Sequence, residues 1–148
     1  MPDPSLEVEF VVEAEAWAGL EEVLNEALQA AARGEGQAGA VAALLADDAA
    51  VAALNQQFRG KAGPTNVLSF PPAAGEGAFL GDIALAAETI AAEAQAQGKS
   101  FANHASHLAV HGFLHLLGYD HLEPEDAERM EARERAILAE LGIEDPYV

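Results

Sequence analysis

The chain has 148 residues, no cysteine and a formal net charge of −18 at pH 7. This length suits one domain that buries about two thirds of its unfolded surface, so folding needs neither a disulfide nor a cofactor. The lack of cysteine excludes disulfides and thiolate metal ligands and fits a reducing compartment. The acidic N-terminus lacks the basic region of a secretory signal, and no apolar run is long enough to cross a membrane. We therefore expect a soluble, cytoplasmic protein.

Strands and helices are predicted to alternate in the N-terminal part. Residues 6–12 start with alternating polar and apolar residues and end with β-branched residues, which is typical of a strand. Apolar residues then recur at helical spacing as far as Gly34-Glu35-Gly36. The apolar stretch that follows favours a buried strand, although its alanines would equally suit a helix. We predict strands over 6–12 and 40–47, a helix over 16–32, and a helix over 49–58 capped by Asp47 or Asp48.

The C-terminal part contains two more strands and three more helices. A short glycine-rich loop joins the strands, so we expect them to pair antiparallel. Ser100 or Asn103 is expected to cap the helix that carries the histidines, and Pro124 stands near the start of the last helix. The predicted elements are strands over 67–70 and 79–86, with a kink at Gly81-Asp82, and helices over 87–97, from about 100, and from 124.

These elements predict an α+β fold. We expect a single domain over 1–148, with one four-stranded mixed sheet and about five helices packed on it. In the last helix Met130, Ile137 and Leu141 are predicted to face inwards. The charges on its outer side are interpreted as solvated four-apart pairs, Glu125 with Arg129 and Glu131 with Arg135.

All five histidines lie in the run HASHLAVHGFLHLLGYDH. His111 and His115 are four residues apart, so on a helix their rings can point to one place. Gly118 suits a left-handed helix end, after which the chain can turn back and bring His121 to the same point. Three imidazoles leave the fourth position of a tetrahedral zinc open, which is the arrangement of a catalytic site. We predict that His111, His115 and His121 bind one zinc ion, in a zincin-like cleft flanked by the last two helices.

The alternative is a buried helix with ordinary core histidines. Apolar residues surround the histidine stripe, and a lone histidine on such a helix usually makes one structural hydrogen bond. Four histidines on one stripe are harder to explain in this way, because each buried ring needs a polar partner. His104 and His107 are interpreted as helix-start or cleft-lining residues, although His107 also lies four residues before His111.

A second candidate site lies in the run RGKAGPTNVLSFPP, residues 59–72. Its glycines and prolines predict a loop, followed by a short strand. Arg59 and Lys61 in a loop beside a buried strand are suited to bind an anion. The alternative is a solvated surface loop, which composition alone favours.

The charge balance is unusual for a protein that binds a polyanion, because phosphate contacts by Lys and Arg supply most of the affinity for nucleic acids. The chain has only seven Lys and Arg residues against 25 Asp and Glu. We therefore expect a local basic site, or delivery to the substrate by a protein partner. Six of the basic residues flank the histidine motif: Arg59, Lys61 and Lys99 before it, and Arg129, Arg133 and Arg135 after it.

The run HGFLHLLGYDH resembles the motif of the YbeY family of bacterial endoribonucleases, His-Gly-x-Leu-His-Leu-x-Gly-Tyr-Asp-His, at every fixed position. The family's Arg-Gly-Lys, Pro-Thr and Val-Leu-Ser-Phe-Pro are matched within 59–71, and its Gly-Asp-Ile at 81–83. The chain departs from the usual pattern at Ala62-Gly63 and Asn66, where an acidic residue often stands. The resemblance covers about residues 40–141.

The resemblance implies that His111, His115 and His121 bind the metal and that Arg59 is functionally important. It implies a single-strand-specific, metal-dependent endoribonuclease that acts in maturation of the 3′ end of 16S rRNA and in ribosome quality control. The implied partners are an rRNA precursor and the small ribosomal subunit or its assembly proteins, with neither DNA nor a membrane.

Further roles follow from the chemistry. Arg59 is expected to stabilise the extra charge of a phosphorane-like transition state, and Lys61 to bind substrate. Asp120 and Asp82 are candidates to support the metal ligands or to transfer protons. Zincins place a glutamate directly after the first histidine, where this chain has Gly112.

Two alternative functions remain open at the level of sequence. One is another zinc hydrolase of the peptidase or amidase type, although Gly112 leaves it without its usual proton acceptor. The other is a non-catalytic ribosome-biogenesis factor with a structural zinc, for which His107 or Asp120 would be a fourth ligand.

Overall fold

The structure is a computed structural model that describes residues 6–60, 65–72, 78–120 and 122–147, without the Arg59 side chain. Within these ranges the chain forms four strands and five α-helices, with a short 3-10 turn at Glu15–Trp17. In chain order the elements are β1 (Leu6–Val12), α1 (Glu21–Glu35), β2 (Gly39–Ala46), α2 (Asp48–Arg59), β3 (Val67–Phe70), β4 (Phe79–Ala86), α3 (Ala87–Gln97), α4 (Phe101–Leu116) and α5 (Pro124–Glu140).

The strands form one mixed sheet in the order β1-β2-β4-β3. Strands β1 and β4 run parallel to β2, whereas β3 runs antiparallel to β4. The predicted α+β fold with a four-stranded mixed sheet is confirmed, as is the antiparallel pairing of β3 with β4. Ser69 lies opposite Ile83 and Phe70 opposite Asp82, so these successive pairs point to opposite faces of the sheet.

The two faces of the sheet differ in how much core they carry. On one face α1, α4 and α5 pack over the larger apolar cluster, which includes Leu28, Ile83 and Phe113. On the other face α2 covers a small cluster around Val51 and Leu68. Helix α4 contacts α1, α3, α5, β3 and β4, so the histidine helix is held from several sides. No helix in the described ranges is both long and apolar enough to cross a bilayer.

The prediction of one helix over 16–32 was wrong at both ends. Trp17 belongs to the 3-10 turn, and α1 begins at Glu21 and continues to Glu35. Trp17 is fully buried, and its indole Nε1 donates a hydrogen bond to the Ala46 carbonyl at 2.8 Å. Trp17 is therefore apolar because the 3-10 turn packs into the core. Its spacing from the apolar residues of α1 resembles helical spacing, although Trp17 is not part of that helix.

Side-chain oxygens cap the N-termini of α2, which follows β2, and of α4, which carries the histidines. Asp47 accepts a hydrogen bond from the Ala50 N–H at 2.8 Å, which begins α2. Ser100 accepts one from the Asn103 N–H at 3.0 Å, which begins α4. These contacts decide between the alternatives that the sequence left open, because an N-cap satisfies a backbone donor that has no partner within the helix.

Two glycines let α4 lie directly against the β3–β4 pair. A Cβ at Gly112 would lie 3.1 Å from side-chain atoms of Val67, Ser69 and Ile83, and the Ser69 hydroxyl donates to the Gly112 carbonyl at 2.8 Å. Gly81 has φ +136°, and a Cβ there would lie 2.5 Å from the Phe70 carbonyl oxygen. The pairing of β2 with β4 shifts register next to Gly81, which confirms the predicted kink. The close approach brings the C-terminal half of α4 beside β3.

Candidate metal centre

Helix α4 carries four of the five histidines, and its two ends place them differently. His104 and His107 are buried in the first half, whereas His111 and His115 are half-buried in the second. These last two line a cleft of about 640 Å³. The cleft lies between the end of α4, the start of β3 and the turn after α4; its other described lining residues are Thr65, Asn66, Val67, Ser69, Pro71, Gly118, Tyr119, Asp120 and Leu122.

This position corrects the prediction that the last two helices flank the cleft. Among the described lining residues none belongs to α5, and β3 supplies the opposite wall. Helix α5 packs behind α4 instead, from where it sends Glu134 towards the histidines.

The rings of His111 and His115 converge, with their Nε2 atoms 3.1 Å apart. The other nitrogen of each ring contacts an acceptor. His115 Nδ1 lies 2.9 Å from the Tyr119 carbonyl oxygen, and His111 Nδ1 lies 3.2 Å from Glu134 Oε2. Since a carbonyl or a carboxylate oxygen can only accept, both Nδ1 atoms carry the proton of the neutral ring. The two Nε2 lone pairs consequently face each other.

Facing lone pairs repel unless a proton or a metal ion lies between them, so this donor set fits a metal ion. Two imidazole nitrogens bound to one tetrahedral zinc at about 2.0–2.1 Å lie about 3.3 Å apart. The observed separation of 3.1 Å is close to that value. In the described ranges no three His, Asp or Glu side chains are arranged to hold one ion. His121, the predicted third ligand, lies outside the described residues.

Glu134 supports this arrangement from α5. The residue is fully buried, and its carboxylate accepts hydrogen bonds from His107 Nε2 at 2.6 Å and the Tyr147 hydroxyl at 2.7 Å, besides that from His111. Burial alone would raise the pKa of the Glu134 carboxyl, but the hydrogen bonds from His107, His111 and Tyr147 outweigh it and lower the pKa to about 2. Glu134 is therefore an anion at neutral pH.

Glu134 was not among the site residues predicted from the sequence. A signal for it was present, because Glu134 lies at helical spacing from Met130 and Ile137, which were correctly predicted to face inwards. A glutamate on the buried stripe of a helix needs hydrogen-bond partners, and the histidines of α4 are the partners here.

His104 and His107 do not line the main cleft. His104 is 3% exposed, and its Nε2 lies 2.9 Å from Glu93 Oε1; burial lowers the pKa of His104, and the contact with Glu93 partly opposes this shift. His107 directs its Nε2 to Glu134 and not to the point shared by His111 and His115. Both residues border a smaller pocket of about 280 Å³ that also contains Lys99 and Tyr147.

The predicted acidic groups lie in different places. Asp120 borders the main cleft, and its Oδ1 accepts a hydrogen bond from the Leu122 N–H at 2.6 Å. Asp82 pairs with Phe70 and shares its face of the sheet, where Phe70 packs with the cluster under α2. The structure therefore contradicts the prediction that Asp82 supports the histidines, because it lies on the other side of the sheet.

The arginines that follow the histidine motif are paired with carboxylates. Arg129 contacts Asp126, Arg133 Nε donates to Glu35 at 2.6 Å, and Arg135 Nε lies 3.0 Å from Asp145. Glu35 also accepts from the Tyr119 hydroxyl at 2.7 Å, which ties the turn after α4 to α1. The charges of these arginines are therefore balanced by carboxylates and add little positive field to the cleft. Lys61 and the Arg59 side chain lie outside the described residues.

Fold and site together define an α+β protein that presents a convergent histidine pair at the foot of an open cleft. A family model described as Endoribonuclease YbeY matches residues 7–142. The chain therefore belongs to the YbeY family, as the resemblance of its histidine motif indicates.

Relatives and a solved structure agree with this assignment. A protein of Parvibaculum lavamentivorans named Endoribonuclease YbeY is 51% identical over 158 residues, which cover 96% of this chain and 85% of the relative. Another of the same name, from Maricaulis maris, is 51% identical over 95% of this chain and 91% of the relative. The solution structure of a Thermotoga maritima protein matches with a TM-score of 0.57 and 26% identity, over 90% of this chain and 91% of that one.

Proposed function

We propose that this protein is a zinc-dependent, single-strand-specific endoribonuclease of the cytoplasm, which acts on precursors of 16S rRNA during maturation of their 3′ end and in ribosome quality control. Family membership supports RNA cleavage, since the relatives carry the name of an endoribonuclease. The observation that carries the proposal for the site is the convergence of the His111 and His115 rings, whose Nε2 atoms lie 3.1 Å apart while each Nδ1 contacts an acceptor. His121 is proposed as the third ligand.

A zinc ion held by these three residues would act as a Lewis acid that activates water and polarises a phosphoryl oxygen. The protein's own residues would orient the metal ligands, hold the phosphate and transfer a proton. Glu134 and the Tyr119 carbonyl keep both rings in the tautomer that offers Nε2 to the metal. Arg59 and Lys61 are proposed to hold the phosphate, and Asp120, at the edge of the cleft, to transfer a proton or orient a ligand.

The packing of Gly112 counts against the peptidase alternative. In zincins the residue after the first histidine is a glutamate, which serves as general base. Here a Cβ at Gly112 would already press on Val67, Ser69 and Ile83, so this side of α4 has no room for a longer side chain. The position that carries the base in zincins therefore faces the sheet.

The contacts of His107 and Asp120 count against a purely structural zinc. A closed structural site needs a fourth protein ligand. His107 Nε2 is engaged with Glu134, and Asp120 Oδ1 accepts from the Leu122 backbone. The proposal thus keeps the fourth position for water or substrate.

The acidic surface bears on how RNA reaches the site. The described residues that line the main cleft include no Lys or Arg, and the arginines of α5 are already paired. The small ribosomal subunit or one of its assembly proteins is therefore proposed to present the rRNA, with Arg59 and Lys61 as the local cations.

Replacement of Arg59 tests whether this residue acts on the phosphate and not in zinc binding. Arg59→Ala is expected to lower cleavage of a 16S rRNA precursor by about 10²–10³-fold, because the variant lacks a cation that stabilises the transition state. Zinc content, measured by mass spectrometry of the purified protein, should stay at the wild-type level. Arg33→Ala, which removes the same charge from an exposed position on α1, is the matched control and should cleave normally. Wild-type cleavage by Arg59→Ala, or loss of its zinc, would contradict the proposed role.

A further inference from the structure

The carboxylate of Glu134 is divided between two sets of donors. Its Oε2 faces His111 Nδ1 at 3.2 Å, while its Oε1 is shared by His107 Nε2 at 2.6 Å and the Tyr147 hydroxyl at 2.7 Å. Three donors from three parts of the chain therefore converge on one fully buried carboxylate. Such a charge is costly to bury unless hydrogen bonds compensate it, and here both carboxylate oxygens accept at least one.

Packing alone does not explain a carboxylate at this position. Met130, Ile137 and Leu138 of the same helix are buried apolar residues, and an apolar side chain would fill the space at less desolvation cost. What an apolar side chain cannot supply is an acceptor for His111 Nδ1. Without that acceptor the neutral ring is free to place its proton on Nε2, which would remove the lone pair that faces His115.

We propose that Glu134 is a positioning residue for the metal ligand His111, and that Tyr147 and His107 hold Glu134 in the orientation this requires. The inference rests on the proposed function, because it concerns the site where zinc is proposed to bind. It assigns a role in that site to a residue of α5 that does not line the cleft, and to a residue near the C-terminal end of the chain.

The contacts of Tyr147 show how the segment after α5 is held in place. Arg135 Nε lies 3.0 Å from Asp145, and its guanidinium lies over the Tyr147 ring, 5.5 Å from the centroid. The Tyr147 ring also packs edge-on against His107, with ring centroids 5.6 Å apart. These contacts direct the Tyr147 hydroxyl towards Glu134. A substitution of Tyr147 should therefore affect the orientation of His111 indirectly, through the Glu134 carboxylate.

Zinc affinity and the tautomer of His111 test the inference in the full-length protein. Affinity is measured by competition with a chromogenic chelator, and the tautomer by NMR correlation of ring nitrogens with ring protons in zinc-free protein. Glu134→Gln should weaken zinc binding about 10–100-fold and give His111 a mixture of tautomers in place of the single Nδ1–H form. Tyr147→Phe, which leaves the carboxylate in place, should weaken binding by about 2–10-fold and keep the tautomer. Glu128→Gln, an exposed charge removal on the same helix, should match wild type.

The outcomes separate this inference from the proposed function. If the wild-type protein binds no zinc, the proposed function fails, and the His111 tautomer in Glu134→Gln still tests the positioning role. If wild type binds zinc and both Glu134→Gln and Tyr147→Phe bind it equally well, with His111 unchanged in Glu134→Gln, the inference is overturned. Should Glu134→Gln fail to fold, the affinity of Tyr147→Phe decides: weaker binding supports the inference, and unchanged binding contradicts it.

Discussion

His111→Ala should abolish stoichiometric zinc binding and lower cleavage of a 16S rRNA precursor by at least about 10³-fold. Removal of one of two converging lone pairs leaves His115 without its chelating partner, and the Lewis acid that the proposed reaction depends on is worth several kcal/mol of transition-state stabilisation. Zinc content is measured by mass spectrometry on purified protein, and cleavage on the same samples. Both quantities are expected to fall together.

A histidine on the same helix provides the control for this experiment. His104→Gln removes a buried ring that contacts Glu93 and lies outside the main cleft, so it should keep its zinc and its activity in the fraction that folds. Retention of full zinc content and full cleavage by His111→Ala would show that the site assignment is wrong. Loss of zinc with retained cleavage would show that the RNase activity does not need the metal.

Gly81→Ala is expected to cost about 3 kcal/mol or more of unfolding free energy, the largest stability effect that we predict. Its φ of +136° is unfavourable for any residue with a Cβ, and the added methyl would lie 2.5 Å from the Phe70 carbonyl oxygen and 2.7 Å from the Leu116 side chain. Since Leu116 ends α4, relief of this clash would move the helix that carries His111 and His115. Stability is measured by urea denaturation followed by circular dichroism.

Gly98→Ala separates backbone strain from the clash. Gly98 also has a positive φ, of +68°, but a Cβ there meets no atom within 4 Å. Its replacement should therefore cost only about 1–2 kcal/mol, which is the penalty for a left-handed non-glycine residue. An equal loss of stability in Gly81→Ala and Gly98→Ala would mean that the close approach of α4 to β3 and β4 is not under steric constraint.

Local patterns in the sequence were enough to predict most of the fold. The bounds of β3, β4 and α3 were predicted correctly, because each has a clear apolar pattern and because Pro71 follows β3 and Gly98 follows α3. The pairing of His111 with His115 also follows from local geometry, since residues four apart on a helix share a face. Trp17 shows the limit, because an apolar residue at helical spacing proved to belong to a separate turn.

What the sequence did not predict depends on contacts between distant parts of the chain. Glu134 and His111 are 23 positions apart, and Arg133 and Glu35 are 98 apart, so no local pattern reports either contact. The face on which Asp82 lies is set by the pairing of β4 with β3, and the wall opposite α4 is β3 because two glycines allow close packing. Both are properties of the assembled sheet and of the helix packed on it.

Anomalous diffraction at the zinc edge from crystals of the zinc-loaded protein tests the central claim most directly. We predict a single zinc at the foot of the main cleft, about 2.0–2.1 Å from Nε2 of His111 and His115 and from one ring nitrogen of His121, with no protein side chain in the fourth position. Zinc bound elsewhere, or a fourth protein side chain among its ligands, would contradict the proposal of a catalytic metal site.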